Sequence, residues 1–506
     1  VPTVRSWIED WLTAVTDLRH LLWFRVSTLQ RRRPAAVALT VLVVVSVGSA
    51  TVPAWWPERD PTTLDRLADV VPAYLVALVA LTAAAAVASG GGRELLARDP
   101  AAVHPISPVT DHLGALVLAP LSAAWLLQTW GLLGITAFLT GPHPAQLVPR
   151  LALALAWIAA ATALGQLAGW AVEWVRRGPG GVLAARTVIG LGVAGGALVG
   201  VLPVARDVAL GGPAGAVAAA LVGNGRASVA TGALLVATAL FVVLGGQAAV
   251  RVARRAPRDE GRIESRSYAA RRAPRSAFSA LVRTDRGSVW RSVPLRRGTF
   301  FLALAPGAAT LVHPVPWATL VVLPGLVVSG CVLLFGVNVW CLDGRGLLWR
   351  ETLPVSPGLP LAARAWVVAE LLLGAALVTV GLAALGAGRP SGAEVVAVAA
   401  AIVVVTGQAL SGGLRWSLES PYAVDLRSAR ATPAPPLAMV GYSVRLALVT
   451  TSTTMVLASL AEVGRADLVL LLATVLVGWS TVRLAGVRRR WLDPEQRAAV
   501  VAVVAA

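Results

Sequence analysis

The chain has 506 residues, of which 57% are hydrophobic and 14% charged, and its mean hydropathy is +0.72; a soluble globular protein is excluded. The formal net charge is +18, and all 44 basic residues are arginine. Without a lysine the chain cannot build a Walker A loop, whose Lys sits on the β/γ-phosphates, so nucleotide-driven work must come from a partner.

Residues 1–34 open the chain. Trp7, Ile8, Trp11, Leu12, Val15, Leu18 and Leu22 recur at helical spacing, with Glu9, Asp10, Asp17 and Arg19 between them. That pattern predicts a helix lying in a membrane interface; an amphipathic helix packed on a bundle fits it equally well. The leading Val is read as a translated alternative start codon, so a complete chain is expected. A long polar segment precedes the first apolar run, so no cleavable signal peptide is expected either.

Six apolar runs then fill 35–250, at 35–56, 68–89, 111–140, 147–174, 183–203 and 228–250. A basic segment, 251–298, follows, and its later part carries Phe278, Leu281, Val282 and Trp290 among Arg275, Arg283, Asp285 and Arg286. This resembles the N-terminal amphipathic pattern. Six more runs occupy 299–487, at 299–313, 317–341, 361–387, 392–415, 434–461 and 466–487, and a tail, 488–506, closes the chain. Each run is long enough for a membrane span or nearly so; the run at 299–313 is short and holds Pro306. Arginine concentrates in alternate loops, which places both termini in the cytoplasm by the positive-inside rule and accounts for the basic charge without nucleic acid. The expected fold is an all-α polytopic membrane protein with about twelve transmembrane helices in two parallel six-helix repeats, in the plasma membrane.

The repeat rests on a loop written twice. Gly344-Arg345-Gly346-Leu347-Leu348-Trp349-Arg350-Glu351 matches Gly92-Arg93-Glu94-Leu95-Leu96-Ala97-Arg98-Asp99, and Pro354-Val355-Ser356-Pro357 matches Pro105-Ile106-Ser107-Pro108. A polar loop repeated between corresponding apolar runs implies a contact made once by each half. Helix capping is the plainer account, since Ser-Pro is an ordinary helix start. Gly165-Gln166 and Gly407-Gln408 echo one another in the fourth and tenth runs. The segment 204–227 is apolar between Gly211-Gly212-Pro213 and Gly223-Asn224-Gly225. It is too short to span and is expected to be re-entrant or interfacial.

Ionisable residues inside the runs are functional candidates by default. Glu370 and Arg445 are expected to pair across helices, to line a path for a polar substrate, or to snorkel to the interface. Gln128 is a further path candidate, although Gln128, Gln166, Gln247, Asn338 and Gln408 also suit interhelical hydrogen bonding. No histidine has a clustered partner, and Cys331 and Cys341 are about 15 Å apart along one helix, so neither a metal site nor a disulfide is expected. A membrane enzyme would have to rest on Asp60, Asp207 or Arg206 in outer loops. A secondary transporter would want more intramembrane carboxylates than the runs contain.

Taken together, the interfacial patterns at 6–30 and 275–290, the six-span halves, the repeated loops at 92–108 and 344–357 and the segment 204–227 resemble the permease subunit of a type-2 ABC exporter in its duplicated twelve-span form. In that family the cytoplasmic loop after the second span of each half docks on the ATPase. The resemblance implies this role for Arg93, Glu94, Arg98 and Asp99 in one loop. In the other it implies the role for Arg345, Arg350 and Glu351, with Trp349 as an anchor. It implies two copies of a separate ATPase subunit as partners, with ATP and Mg bound there, no cofactor or catalytic residue in this chain, and export of a hydrophobic or amphipathic substrate. The turn around Glu462–Asp467 is shorter than the resemblance requires for an outer gate in the second half.

Overall fold

The structure, a computed structural model, describes residues 4–27, 32–57, 60–88, 106–121, 123–181, 183–191, 207, 211–223, 226–255, 273–312, 315–424 and 432–506. Among them are only helices and their connections, with no strand. The chain divides into two compact units, Val1–Arg258 and Asp259–Ala506, at a point inside the basic segment 251–298.

The first unit contains α1 (Val4–Ser27), α2 (Arg32–Thr51), α3 (Pro61–Ala88), α4 (Pro108–Leu118), α5 (Ala123–Thr140), α6 (Pro144–Arg176), α7 (Pro213–Val222) and α8 (Ala227–Ala253). Its centre is α6, which packs along both α3 and α8. The core joins Leu75 and Leu78 of α3, Leu132 and Leu133 of α5, and Leu153, Trp157 and Ile158 of α6. Helix α7 is buried against the same core through Val217, Ala218 and Leu221. Arg150 fixes its end by donating to the Val222 and Gly223 carbonyls at 3.2 and 3.1 Å, groups a helix C-terminus leaves unpaired. Within the segment expected to be re-entrant or interfacial, Pro213–Val222 is a short helix packed on its own bundle.

The second unit contains α9 (Ala277–Arg291), α10 (Val293–Val312), α11 (Trp317–Leu320), α12 (Leu323–Phe335), α13 (Gly346–Glu351), α14 (Gly358–Ala384), α15 (Gly392–Glu419), α16 (Pro436–Glu462), α17 (Ala466–Leu492) and α18 (Pro494–Ala505). Helix α15 packs along α17 and α16, and α14 packs on α10, α12 and α9. One close approach sets the centre: a Cβ on Gly413 of α15 would lie 2.5 Å from the Gly336 carbonyl oxygen. Only glycine lets the two backbones meet there.

Among the described residues, eight helical segments are long and apolar enough to cross a membrane: Pro61–Val87, Pro144–Arg176, Ala227–Ala253, Trp317–Leu342, Gly358–Ala384, Gly392–Glu419, Ala438–Glu462 and Ala466–Leu492. Their outer faces are hydrocarbon. Helix α8 leaves Val229, Leu235, Val236 and Leu240 exposed, and α17 leaves Leu470, Leu471, Val475 and Trp479 exposed. At about 25 cal/mol per Å² of apolar surface, such faces call for a lipid environment.

Four of the twelve expected spans are not among the eight. The first divides into α2 and a 3-10 turn at Val52–Trp55. The third is broken into α4, a 3-10 turn at Ala119–Leu121 and α5, where Pro120 removes a backbone donor. The fifth is helical at 183–191 and otherwise lies largely outside the described residues. The seventh, α10, starts with Arg296 and Arg297 in its first turns and holds Pro306. The glycine echo also does not mark equivalent contacts. Gly165 lies against the Thr82 backbone of α3, whereas Gly407 lies against the Ser480 side chain of α17.

Candidate functional site

The loop between α12 and α14 is held by an unusual concentration of buried polar groups. After Phe335 the chain tightens into a 3-10 helix, Gly336–Leu342, which kinks at Asn338 (φ −149°, ψ 68°). The kink is stabilised from its surroundings. Asn338 Nδ2 donates to the Tyr422 and Pro433 carbonyls at 2.9 and 2.8 Å, and Ser417 Oγ accepts from the Val339 amide at 3.0 Å. Gly344 then reverses the chain with φ +49°, a left-handed conformation suited to glycine, and α13 follows.

Four charges lock this loop to two neighbouring helices. Arg350 of α13 donates through Nη1 and Nη2 to the two carboxylate oxygens of Asp285 on α9, at 2.8 and 3.1 Å. Its Nη1 also reaches Asp343 at 3.2 Å. Arg364 of α14 lies 3.0 Å from Asp285 Oδ1 and 2.7 Å from Asp343 Oδ2, and it donates to the Val339 carbonyl at 2.9 Å. Asp285 and Arg364 are 0% exposed. Two carboxylates and two guanidiniums cancel in charge, which is the condition for burying them at all. Burial pulls the Arg350 guanidinium down, but the hydrogen bonds it donates to Asp285 and the charge of Asp343 outweigh it and raise its pKa.

Contacts with the C-terminal segment complete the anchoring. Trp340 stacks on Trp491 with ring centroids 4.1 Å apart, and Trp491 Nε1 donates to the Pro357 carbonyl at 2.7 Å. Glu351 pairs with Arg497 of α18 at 2.9 Å. The opposite face of the loop is open: Leu348, Trp349 and Leu353 are 53, 77 and 44% exposed, and Arg345 is exposed beside them. The result is a rigid knob with an apolar tip and a cation next to it. It contains no nucleophile–base pair, and no group of His, Cys, Asp or Glu suited to a metal exists among the described residues.

The expected site residues divide accordingly. Trp349 and Arg345 face outward. Arg350 faces inward and holds the loop, because the Asp285 and Asp343 carboxylates lie beneath it. Glu351 is committed to Arg497. The first loop, with Arg93, Glu94, Arg98 and Asp99, lies outside the described residues; only its end is seen, where Ser107 caps α4 by accepting from the Thr110 amide. Ser356 makes no such cap on α14. The Ser-Pro pair is thus a helix start in one copy and part of a turn in the other.

Glu370 pairs with Arg286 of α9 at 2.8 Å, both about half exposed, and not with Arg445. Arg445 is exposed on α16, three residues beyond Tyr442, whose ring stacks on Trp416 at 4.6 Å. Gln128 lends its backbone carbonyl to the Tyr74 hydroxyl at 3.1 Å. Gln408 bonds Thr453 of α16 at 3.1 Å, as interhelical glue would. His112, in the second turn of α4, is buried between helices, accepting from Trp170 Nε1 and donating to the Val242 carbonyl, each at 3.1 Å. Asp60 bonds the nearby Thr62 hydroxyl, Asp207 is exposed, and Arg206 lies outside the described residues. An apolar recess is lined by Val45, Gly48, Ser49, Val52, Pro53, Trp56 and Phe138, and the Ser49 hydroxyl is already bonded to the Ser46 carbonyl.

Sequence reasoning missed the roles of Asp285, Asp343, Arg364 and Arg483. Asp285 falls on the buried stripe Leu281, Val282, Asp285, Val289 of α9, and Arg364 on the stripe Leu361, Arg364, Val368 of α14. A charge on an apolar stripe was the available signal. Arg483 lies inside α17 but is masked in sequence by the arginines that follow at Arg488, Arg489 and Arg490.

These features define a multi-pass helical membrane protein. No protein-family model, curated protein or solved structure matches the chain.

Proposed function

We propose that the chain is the transmembrane permease subunit of an ABC exporter, moving a hydrophobic or amphipathic substrate with energy from a separate ATPase. The observation that carries this reading is the outward knob of Arg345, Leu348, Trp349 and Leu353 set on the buried Asp285–Arg350–Arg364–Asp343 network. An exposed Trp with an adjacent Arg suits the centre of a protein–protein contact. A charge lattice beneath it makes the knob move as one body with α9 and α14. ATP and Mg bind the partner, whose closure displaces the knob, and α14 carries the displacement along the bundle. The loop holding Arg93, Glu94, Arg98 and Asp99 takes the second ATPase copy. The lack of lysine agrees with this division of labour.

The test is isolation of the tagged chain from its native membranes in mild detergent, with co-purifying proteins identified and ATP hydrolysis assayed. A stoichiometric soluble ATPase is expected, lost on Arg345→Glu with Trp349→Ala and on Arg93→Glu. A chain that purifies alone and without ATPase activity across detergents and salt concentrations overturns the reading.

A further inference from the structure

Three arginines and one carboxylate meet near the ends of α15 and α17. The two helices run in the same direction, with Gly407 against Ser480 and their last turns joined by an ion pair. Glu419 accepts from Arg415 at 2.8 Å and from Arg490 at 2.6 Å, so its charge is already shared. Arg483 has no ion-pair partner among the described residues. Its Nε is shielded from solvent and lacks a hydrogen-bond partner, and Arg415 and Glu419 are both close enough for their charges to act on it. Among the described residues the group therefore carries more positive charge than Glu419 neutralises.

Position and surroundings indicate what supplies the missing charge. Arg483 lies nine residues (492 − 483) before the end of α17, about 13 Å along the axis. That is within reach of a headgroup layer for a long side chain. Leu471, Val475 and Trp479 precede it at intervals of four residues, and all three are exposed. Residues four apart form one ridge on a helix. A bare apolar ridge thus leads to an unneutralised guanidinium, with a second arginine beside it. Hydrocarbon and anion are called for in a fixed order, as in an amphiphile.

We propose that Arg483 and Arg415 bind the phosphate of an anionic phospholipid from the surrounding bilayer, with its acyl chain along Leu471, Val475 and Trp479. A guanidinium can present two parallel donors to phosphate oxygens, and the low dielectric at this depth strengthens the pair. The site is independent of any ATPase partnership and would exist in a transporter of another kind.

The experiment is native mass spectrometry of the full chain titrated with phosphatidylglycerol, with melting temperature measured on each variant. Wild-type protein is expected to retain the lipid, and Arg483→Gln or Arg415→Gln to weaken binding about fivefold. Arg483→Lys should recover much of the loss, and Arg465→Gln, at the opposite end of α17, should change nothing. Arg415 is about half exposed, so its variant reports on binding even if Arg483→Gln fails to fold. Equal retention in wild type and both glutamine variants overturns the proposal. Displacement of the lipid by excess inorganic phosphate overturns it too, by showing a free-phosphate site.

Discussion

Asp285 and Arg364 lie 3.0 Å apart with neither side chain exposed, joining an amphipathic helix to a membrane span beneath a six-residue helix. Removing either partner leaves a buried charge without compensation, which costs about 3–5 kcal/mol. Asp285→Ala and Arg364→Ala should each lower the thermal midpoint of the purified chain by many degrees. Asp285→Ala combined with Arg364→Ala should cost less than the sum, because the pair shares one network. Additive losses would show that the two residues act separately.

The open face of the same loop should behave in the opposite way. Trp349→Ala and Arg345→Gln touch no buried partner, so each should leave stability within about 0.5 kcal/mol of wild type. Their expected effect is on ATPase capture alone. Thermal melting and pull-down of the same preparations separate the two: a large loss of stability in Trp349→Ala would contradict an outward anchor.

Backbone contact between α15 and the 3-10 segment gives a test of packing. Gly413→Ala places a methyl 2.5 Å from the Gly336 carbonyl oxygen and should cost about 1–3 kcal/mol. Gly486→Ala meets nothing within 4 Å on α17 and should stabilise by about 0.5–1 kcal/mol, from helix propensity. Comparing the two melting curves isolates sterics from propensity.

Arg150 holds the end of α7 through two carbonyls. Arg150→Met keeps bulk but removes these bonds, leaving acceptors whose loss is worth about 1–3 kcal/mol. A cysteine placed at Val217, which is buried, should be slow to react with a membrane-impermeant maleimide in the parent and faster with Arg150→Met. Unchanged labelling would mean that apolar packing alone retains the helix.

The loop Gly344–Pro357 was legible as a site because it is polar, punctuated by glycine and proline, and set between apolar runs. Its surface was only half legible. Leu348 and Trp349 face outward, but Arg350, one position on, turns inward. Sequence spacing names neighbours along a helix, whereas the direction of Arg350 depends on carboxylates contributed by α9 and by the turn at Asp343.

The same division holds for the whole chain. Sequence alone determined that this is a helical membrane protein, and it located eight segments that the structure also gives as span candidates. A span must satisfy its own backbone in hydrocarbon, so each one is written locally as a long apolar run. Only the tertiary structure decided where the third run breaks, that Glu370 meets Arg286, and that Asp285 and Asp343 neutralise Arg350 and Arg364. Those outcomes depend on which charges come within a few ångströms after distant helices pack, and a buried charge acquires its meaning from that partner.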